Sequence, residues 1–233
     1  MQVAHPQVAR GVVEHSAYPS DRLGRLQRTL RPMYTIAFGT PDEARAAEAG
    51  VRAVHQRVVG AGYRADDPPL LGWVLATLID TALLMYRRFI APIAPHGAEA
   101  YYAGMLSIDS LLGTPRSALP ESFREFESYV AELVATIELS DDSRRIAHEL
   151  FAPVPGAPWL RPAMPLAREL TVGLLPARLR EQYGMSWGPG REAVLAGAAR
   201  LSRTVRPALP SRLTAPPANV MPASYRQRRR GGF

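Results

Sequence analysis

The chain has 233 residues, 47% of them hydrophobic, which suits one domain with a sizeable core. It has no cysteine, which excludes disulfides, thiolate metal sites and cysteine nucleophiles; all 28 basic residues are Arg, which excludes lysine Schiff-base and P-loop chemistry. The net charge of +7 arises beyond Glu192, where eight Arg meet no acidic residue, so the near-neutral body gives no support to a specific nucleic-acid partner.

The N-terminal quarter collects the polar groups of most chemical interest. His5, Glu14 and His15 lie close in sequence, followed by Arg25, Arg28 and Thr29. If that segment is helical, spacings of three and four put Arg25, Arg28 and Thr29 on one face. There they either form a solvated basic turn or grip carboxylates and polarise bound dioxygen. The His5/His15/Glu14 spacing matches no local metal motif.

The next segment predicts a helix over 41–59. Thr40 is a good N-cap, Pro41 fits the first helical position, Glu43 completes a capping box, and Gly60 suits the residue after the end. Its apolar stripe is Ala44, Ala47, Val51, Val54 and Val58, and His55 shares that face. Such an imidazole is either a hydrogen-bonded core histidine or a haem axial ligand.

Asp67-Pro68 opens a central helix over 68–90, apolar on most sides; because it holds Asp80 and its most apolar run is short, it reads as a core helix and not a transmembrane span. A helix near 97–112 ends at Gly113, before Pro115. Pro120 opens another, with Phe123, Phe126, Tyr129, Val130, Leu133 and Ile137 inward. Asp141 or Asp142 caps a short helix to about Phe151. Residues 152–165 hold five prolines and read as an extended loop wrapping the body. Helices near 166–183 and 189–206 follow. From Pro207 the chain is rich in Pro, Ala, Ser and Arg and reads as disordered. No run alternates with period two and no leader opens the chain, so the reading is all-α and cytoplasmic, from a GC-rich bacterial source. It has one helical domain over 1–206 and a basic tail over 207–233, whose arginines suit weak contact with a membrane surface.

The ordered series His5-Pro6, Gly11-Val12, His15-Ser16, Arg25-x-x-Arg28-Thr29, Phe38-Gly39, Val51-x-x-Val54-His55-x-x-Val58-x-Gly60 and Tyr63-x-Ala65-x-Asp67-Pro68-x-Leu70-Leu71-x-Trp73-Val74 resembles the MpaB/rubber-oxygenase catalytic-domain family. Tyr101-Tyr102, Leu112-Gly113-x-Pro115 and Leu174-Leu175-Pro176-x-x-Leu179-Arg180-x-x-Tyr183-Gly184 continue it, over residues 2–190.

The resemblance implies a helical bundle around a pocket for haem b and dioxygen-dependent chemistry on an apolar, isoprenoid or lipid-like small molecule. By motif position His55 is the proximal iron ligand. Arg25, Arg28 and Thr29 match the family's Arg-x-x-(Lys/Arg)-Thr signature at the haem, with Arg28 as the distal cation. Arg25 and Thr29 hold propionates or order the distal loop. Relatives carry a hydrophobic helix ahead of the Gln-x-x-His-Pro segment, where this chain starts at Met1-Gln2, so the domain reads as truncated at its N-terminus. Relatives read Trp-Val-His where this chain has Leu75, and Tyr-Tyr-x-Glu where it has Gly104. These departures keep open a non-catalytic reading, a member that binds haem or an apolar ligand without turnover. A third reading is a module docked to membrane or nucleic acid through the Arg tail.

Overall fold

The computed structural model describes residues 1–16, 21–112, 118–154, 156–210 and 217–230. Among these the fold is all-α. Its helices are α1 (Pro6–His15), α2 (Arg22–Phe38), α3 (Pro41–Arg57), α4 (Pro68–Phe89), α5 (Pro95–Leu112), α6 (Phe123–Thr136), α7 (Asp141–Leu150), α8 (Met164–Leu174), α9 (Ala177–Gln182), α10 (Pro189–Val205) and α11 (Ala223–Arg230). The one sheet among the described residues is a pair of two-residue strands, β1 (Val59–Gly60) and β2 (Tyr63–Arg64), antiparallel, with Val59 opposite Arg64 and Gly60 opposite Tyr63.

Helix α4 organises the interior. Leu70, Leu71, Gly72, Trp73, Leu75, Ala76, Thr77, Ile79 and Leu83 are all buried along it. Leu75, Ile79 and Leu83 meet Ala98 and Tyr102 of α5 and Phe123 and Phe126 of α6 in the main core. Each fully buried large side chain contributes about 1.5–3 kcal/mol of transfer free energy, so this layer dominates stability. The Tyr102 hydroxyl, wholly buried, donates to Pro120 O at 2.6 Å, which satisfies its one polar group. A second cluster joins Ala4, Trp73, Leu139 and Leu179, and the Trp73 indole donates to Gln2 O at 2.8 Å. By length and composition α4 could cross a bilayer, but half of its most apolar window is buried inside the molecule.

Most helices follow their local signals. Thr40 and Glu43 cap α3 reciprocally, with Pro41 at its start. The start of α6 is set by a capping box of Ser122 and Glu125, two residues after Pro120. Ser140 caps α7, while Asp141 and Asp142 occupy its first turn and favour the positive end of its dipole. Pro176 breaks the expected 166–183 helix into α8 and α9, since it cannot donate to the ladder. Within the proline-rich loop, Pro158–Ala163 forms a 3₁₀ turn that runs into α8. The expected end of α5 at Gly113 lies outside the described residues.

Gly60 does not terminate α3. The helix closes at Val58, and Gly60 pairs with Tyr63 in the small sheet instead. The inward face of α3 is also rotated from the expected stripe. Val54 is 50% exposed, and Glu48 is buried in its place at 3%. Of the C-terminal tail, residues 217–230 are described. Val220 and Met221 are buried, and α11 lies against the α2–α3 turn: Tyr225 meets the Phe38 ring and Ser224 bonds the Glu43 carboxylate.

Candidate functional site

Helices α2 and α3 form an antiparallel hairpin joined by Gly39 and Thr40. Equal steps from that link set Arg25 at the height of Val54 and His55, and Arg28 at the height of Val51. The hairpin packs on the body through α3 against α5. It is thinly buried: α2 has no buried residue among those described and α3 has one, Glu48. The start of α2 is tied down by Arg22, whose guanidinium donates to the carbonyls of Glu149, Ala152 and Pro153 at 2.8, 2.8 and 2.6 Å. These carbonyls lie at and just beyond the C-terminus of α7, where a cation is favoured.

His55 sits in the last turn of α3, half-buried, and its Nδ1 is buried with no hydrogen-bond partner among the described residues. Burial pushes its pKa below the ordinary value, and the nearby Asp66 carboxylate partly opposes this. The ring is therefore held neutral with a lone pair available. The backbone after it is fixed by two bonds. Val58 N donates to His55 O at 3.0 Å, and Ala65 N donates to Val58 O at 2.9 Å. That pairing brings Asp66 back beside the end of α3, where Arg64 grips it with bonds of 3.0 and 3.1 Å.

The small sheet is clamped from the other side by α1. The Tyr63 hydroxyl donates to Glu14 at 2.7 Å, Arg10 donates to Glu14 at 2.8 Å, and Gln7 donates to Gly62 O at 2.8 Å. Burial, then the Glu14 bond, pushes the Tyr63 phenol up to about 12. Arg10, then Tyr63, holds the Glu14 carboxyl below its ordinary value. Tyr63 lies so close over Gly60 that a Cβ there would stand 2.2 Å from its ring. Glu14 thus serves as an acceptor in a clamp, with two donors engaged. His15 rests edge-on against Tyr63. His5 instead tilts against Trp73, with its Nδ1 buried and unpartnered among the described residues.

The arginine face is placed differently from His55. Arg28 is exposed and donates to Asp21 at 2.8 Å. Thr29 is exposed and donates to Arg25 O at 3.0 Å, a bond within its own helix. Arg25 is half-buried and partnered. The positions of Leu75 and Gly104 separate as well: Leu75 is in the main core, and Gly104 has open space around its Cα.

Two surface clefts, of about 350 and 460 Å³, lie away from His55. Among the described residues no group of three or more His, Asp or Glu side chains could hold a metal ion. Tyr63, Asp66 and Glu48 carry no signal of this arrangement in their spacing. Tyr63 meets Glu14 from 49 positions away, and Glu48 reads as one polar residue on a mixed helix.

The family described as "ER-bound oxygenase mpaB/B'/Rubber oxygenase, catalytic domain" matches residues 1–204. No curated protein and no solved structure matches the chain. The chain belongs to this oxygenase family, over nearly its whole length.

Proposed function

We propose that the protein is a haem-dependent oxygenase-like oxidoreductase that uses dioxygen on an apolar small molecule of isoprenoid or lipid-like character. The observation that carries this reading is His55: a neutral, half-buried imidazole with an unpartnered buried nitrogen, on the hairpin that also carries the arginine face. The donor set fits a haem. A haem asks one imidazole of the protein, and His55 offers a ring nitrogen with no partner among the described residues. The thin burial of α2 leaves that hairpin free to adjust around a large planar group.

Haem, when bound, supplies an iron that activates dioxygen. His55 would hold it through its neutral ring, and Arg25, at the same height on α2, would receive a propionate. Arg28, which donates to Asp21, would turn from that carboxylate to lend positive charge to the dioxygen side. Thr29, at the neighbouring position, orders the distal loop. The reading also assigns the protein to the cytoplasm.

An absorption spectrum after haem supplementation tests this. The wild type should show a Soret band that His55→Ala shifts or abolishes. Arg28→Ala should keep the band and lower oxygen consumption with an isoprenoid substrate by about 10²-fold, the usual loss for one electrostatic stabiliser. No Soret band in the wild type, or one unchanged in His55→Ala, rejects the axial role. Undiminished turnover in Arg28→Ala rejects the distal one.

A further inference from the structure

The segment between Glu149 and Glu169 contains no acidic residue, five prolines and two arginines, Arg161 and Arg168. At its centre stands Trp159, 69% exposed, the most exposed large hydrophobic side chain among the described residues. Leu166, one element on, is 51% exposed, and Leu150 at the head of the segment is also exposed. A lone exposed leucine needs no explanation, but an exposed tryptophan flanked by two leucines is a costly arrangement in water.

This exposure is not the looseness of a chain end. Ala157, two residues before Trp159, is wholly buried, and its carbonyl accepts from Leu160 N at 3.1 Å. The 3₁₀ turn Pro158–Ala163 continues directly into α8, whose Val172 is wholly buried. The indole therefore projects outward from a ridge, a hydrogen-bonded turn with a buried alanine at its base. The basic groups sit on the same ridge. Arg161 has no hydrogen bond or carboxylate partner among the described residues, and Arg168 leans over the Phe151 ring at 5.9 Å and lies 3.8 Å from the Glu169 carboxylate. Behind them lies the cleft of about 350 Å³, walled by Phe151, Met164 and Pro165 beside these two guanidiniums and the Glu169 carboxylate.

We propose that this ridge is the protein's docking surface for an anionic lipid bilayer. An indole and two leucines suit the boundary between headgroups and acyl chains, where an amphipathic ring is most stable. Arg161 and Arg168 bury their alkyl stems and keep their charge among lipid phosphates. No carboxylate interrupts the ridge over nineteen positions, and Glu169 at its end is compensated by Arg168 and Arg191, so little repulsion opposes an anionic surface. Docking is peripheral, needs no spanning helix, and does not depend on the cofactor reading.

Co-sedimentation of the full-length protein with vesicles tests this. Vesicles of phosphatidylcholine with a third phosphatidylglycerol should carry the protein down, and pure phosphatidylcholine should carry much less. Arg161→Ala should lower partitioning about fivefold, matching about 1 kcal/mol per surface arginine. Trp159→Ala should lower it further, and brominated lipid should quench fluorescence in the wild type but not in Trp159→Phe. All three substitutions fall on exposed side chains, and circular dichroism should show the fold intact. No binding to either vesicle overturns the proposal, as does equal binding to both. So does binding that survives Trp159→Ala and Arg161→Ala but is lost in Arg226→Ala/Arg228→Ala, which would place the contact on the C-terminal tail. Saturable binding of a monomeric anionic amphiphile in the cleft, with no vesicle association, would equally overturn it.

Discussion

Two histidines contribute to the response to mild acid. His5 and His55 both have a buried, unpartnered ring nitrogen, and burial lowers the pKa of each from 6.5. Protonating either ring puts a charge where no acceptor meets it, so each binds its proton less readily folded than unfolded. Between the folded value and 6.5 the unfolded chain holds more protons, so stability rises with pH through that window. It is complete above 6.5 and is lost as pH falls. Urea midpoints should therefore decline from pH 7 to about pH 5, and His55→Gln should flatten part of that slope. A slope identical in the two proteins would remove His55 from the account. The same depressed pKa keeps the imidazole lone pair available below neutrality, so the proposed iron ligation should persist into mildly acid solution.

At the scale of elements, the joint between the α2–α3 turn and α11 depends on Glu43. Its carboxylate completes the α3 capping box and also accepts from Ser224 of α11, while Arg228 donates to Phe38 O at 2.9 Å. The Ser224 bond, then the Thr40 backbone, lowers the Glu43 pKa to about 2. A depressed carboxyl contributes stability that is present above 4.5 and is lost as pH falls towards 2. Ser224→Ala removes the largest cause. Acid unfolding of that variant should therefore begin at higher pH than in the wild type, with α3 still helical at neutral pH. Coincident acid transitions would show that α11 does not bear on Glu43.

The cap itself was legible because every group it uses lies within four positions: Thr40, Pro41 and Glu43. The α6 stripe of Phe123, Phe126 and Tyr129 was legible for the same reason. The docking of α11 was not, because Ser224 finds Glu43 across 181 positions. Nor was the rotation that turns Val54 outward and Glu48 inward, since one helix face differs from the next by a single residue step and α5 decides between them. Of the candidate site, the inward placement of His55 followed from period alone. The pairing of Arg28 with Asp21 and the closure of Tyr63 over Gly60 depend on contacts that no periodicity encodes.

Across the whole molecule, burial is graded, and that grading sets where motion is cheap. Helix α4 has nine buried residues, whereas α2 has none and α3 one among those described. The hairpin is held by its cap, by Arg22 on the α7 carbonyls and by contact with α5, all of which a local opening can break without exposing the main core. Opening free energy should therefore be low in α2–α3 and approach the global value in α4. In hydrogen exchange of the full chain, amides of α2 and α3 should exchange well before those of α4 and α6. A group bound between the hairpin and the body closes only the openings that would release it. Haem at about 100 times its Kd should slow exchange in α2 and α3 by about 100-fold, with little change in α4, whose exchange already waits on deeper unfolding. Protection centred on α8 and α10 instead would place the cofactor against those helices and not at the hairpin. Uniform protection would indicate stabilisation of the fold without a localised site. The selective pattern would tie the thinly packed hairpin, His55 and the arginine face to one bound group.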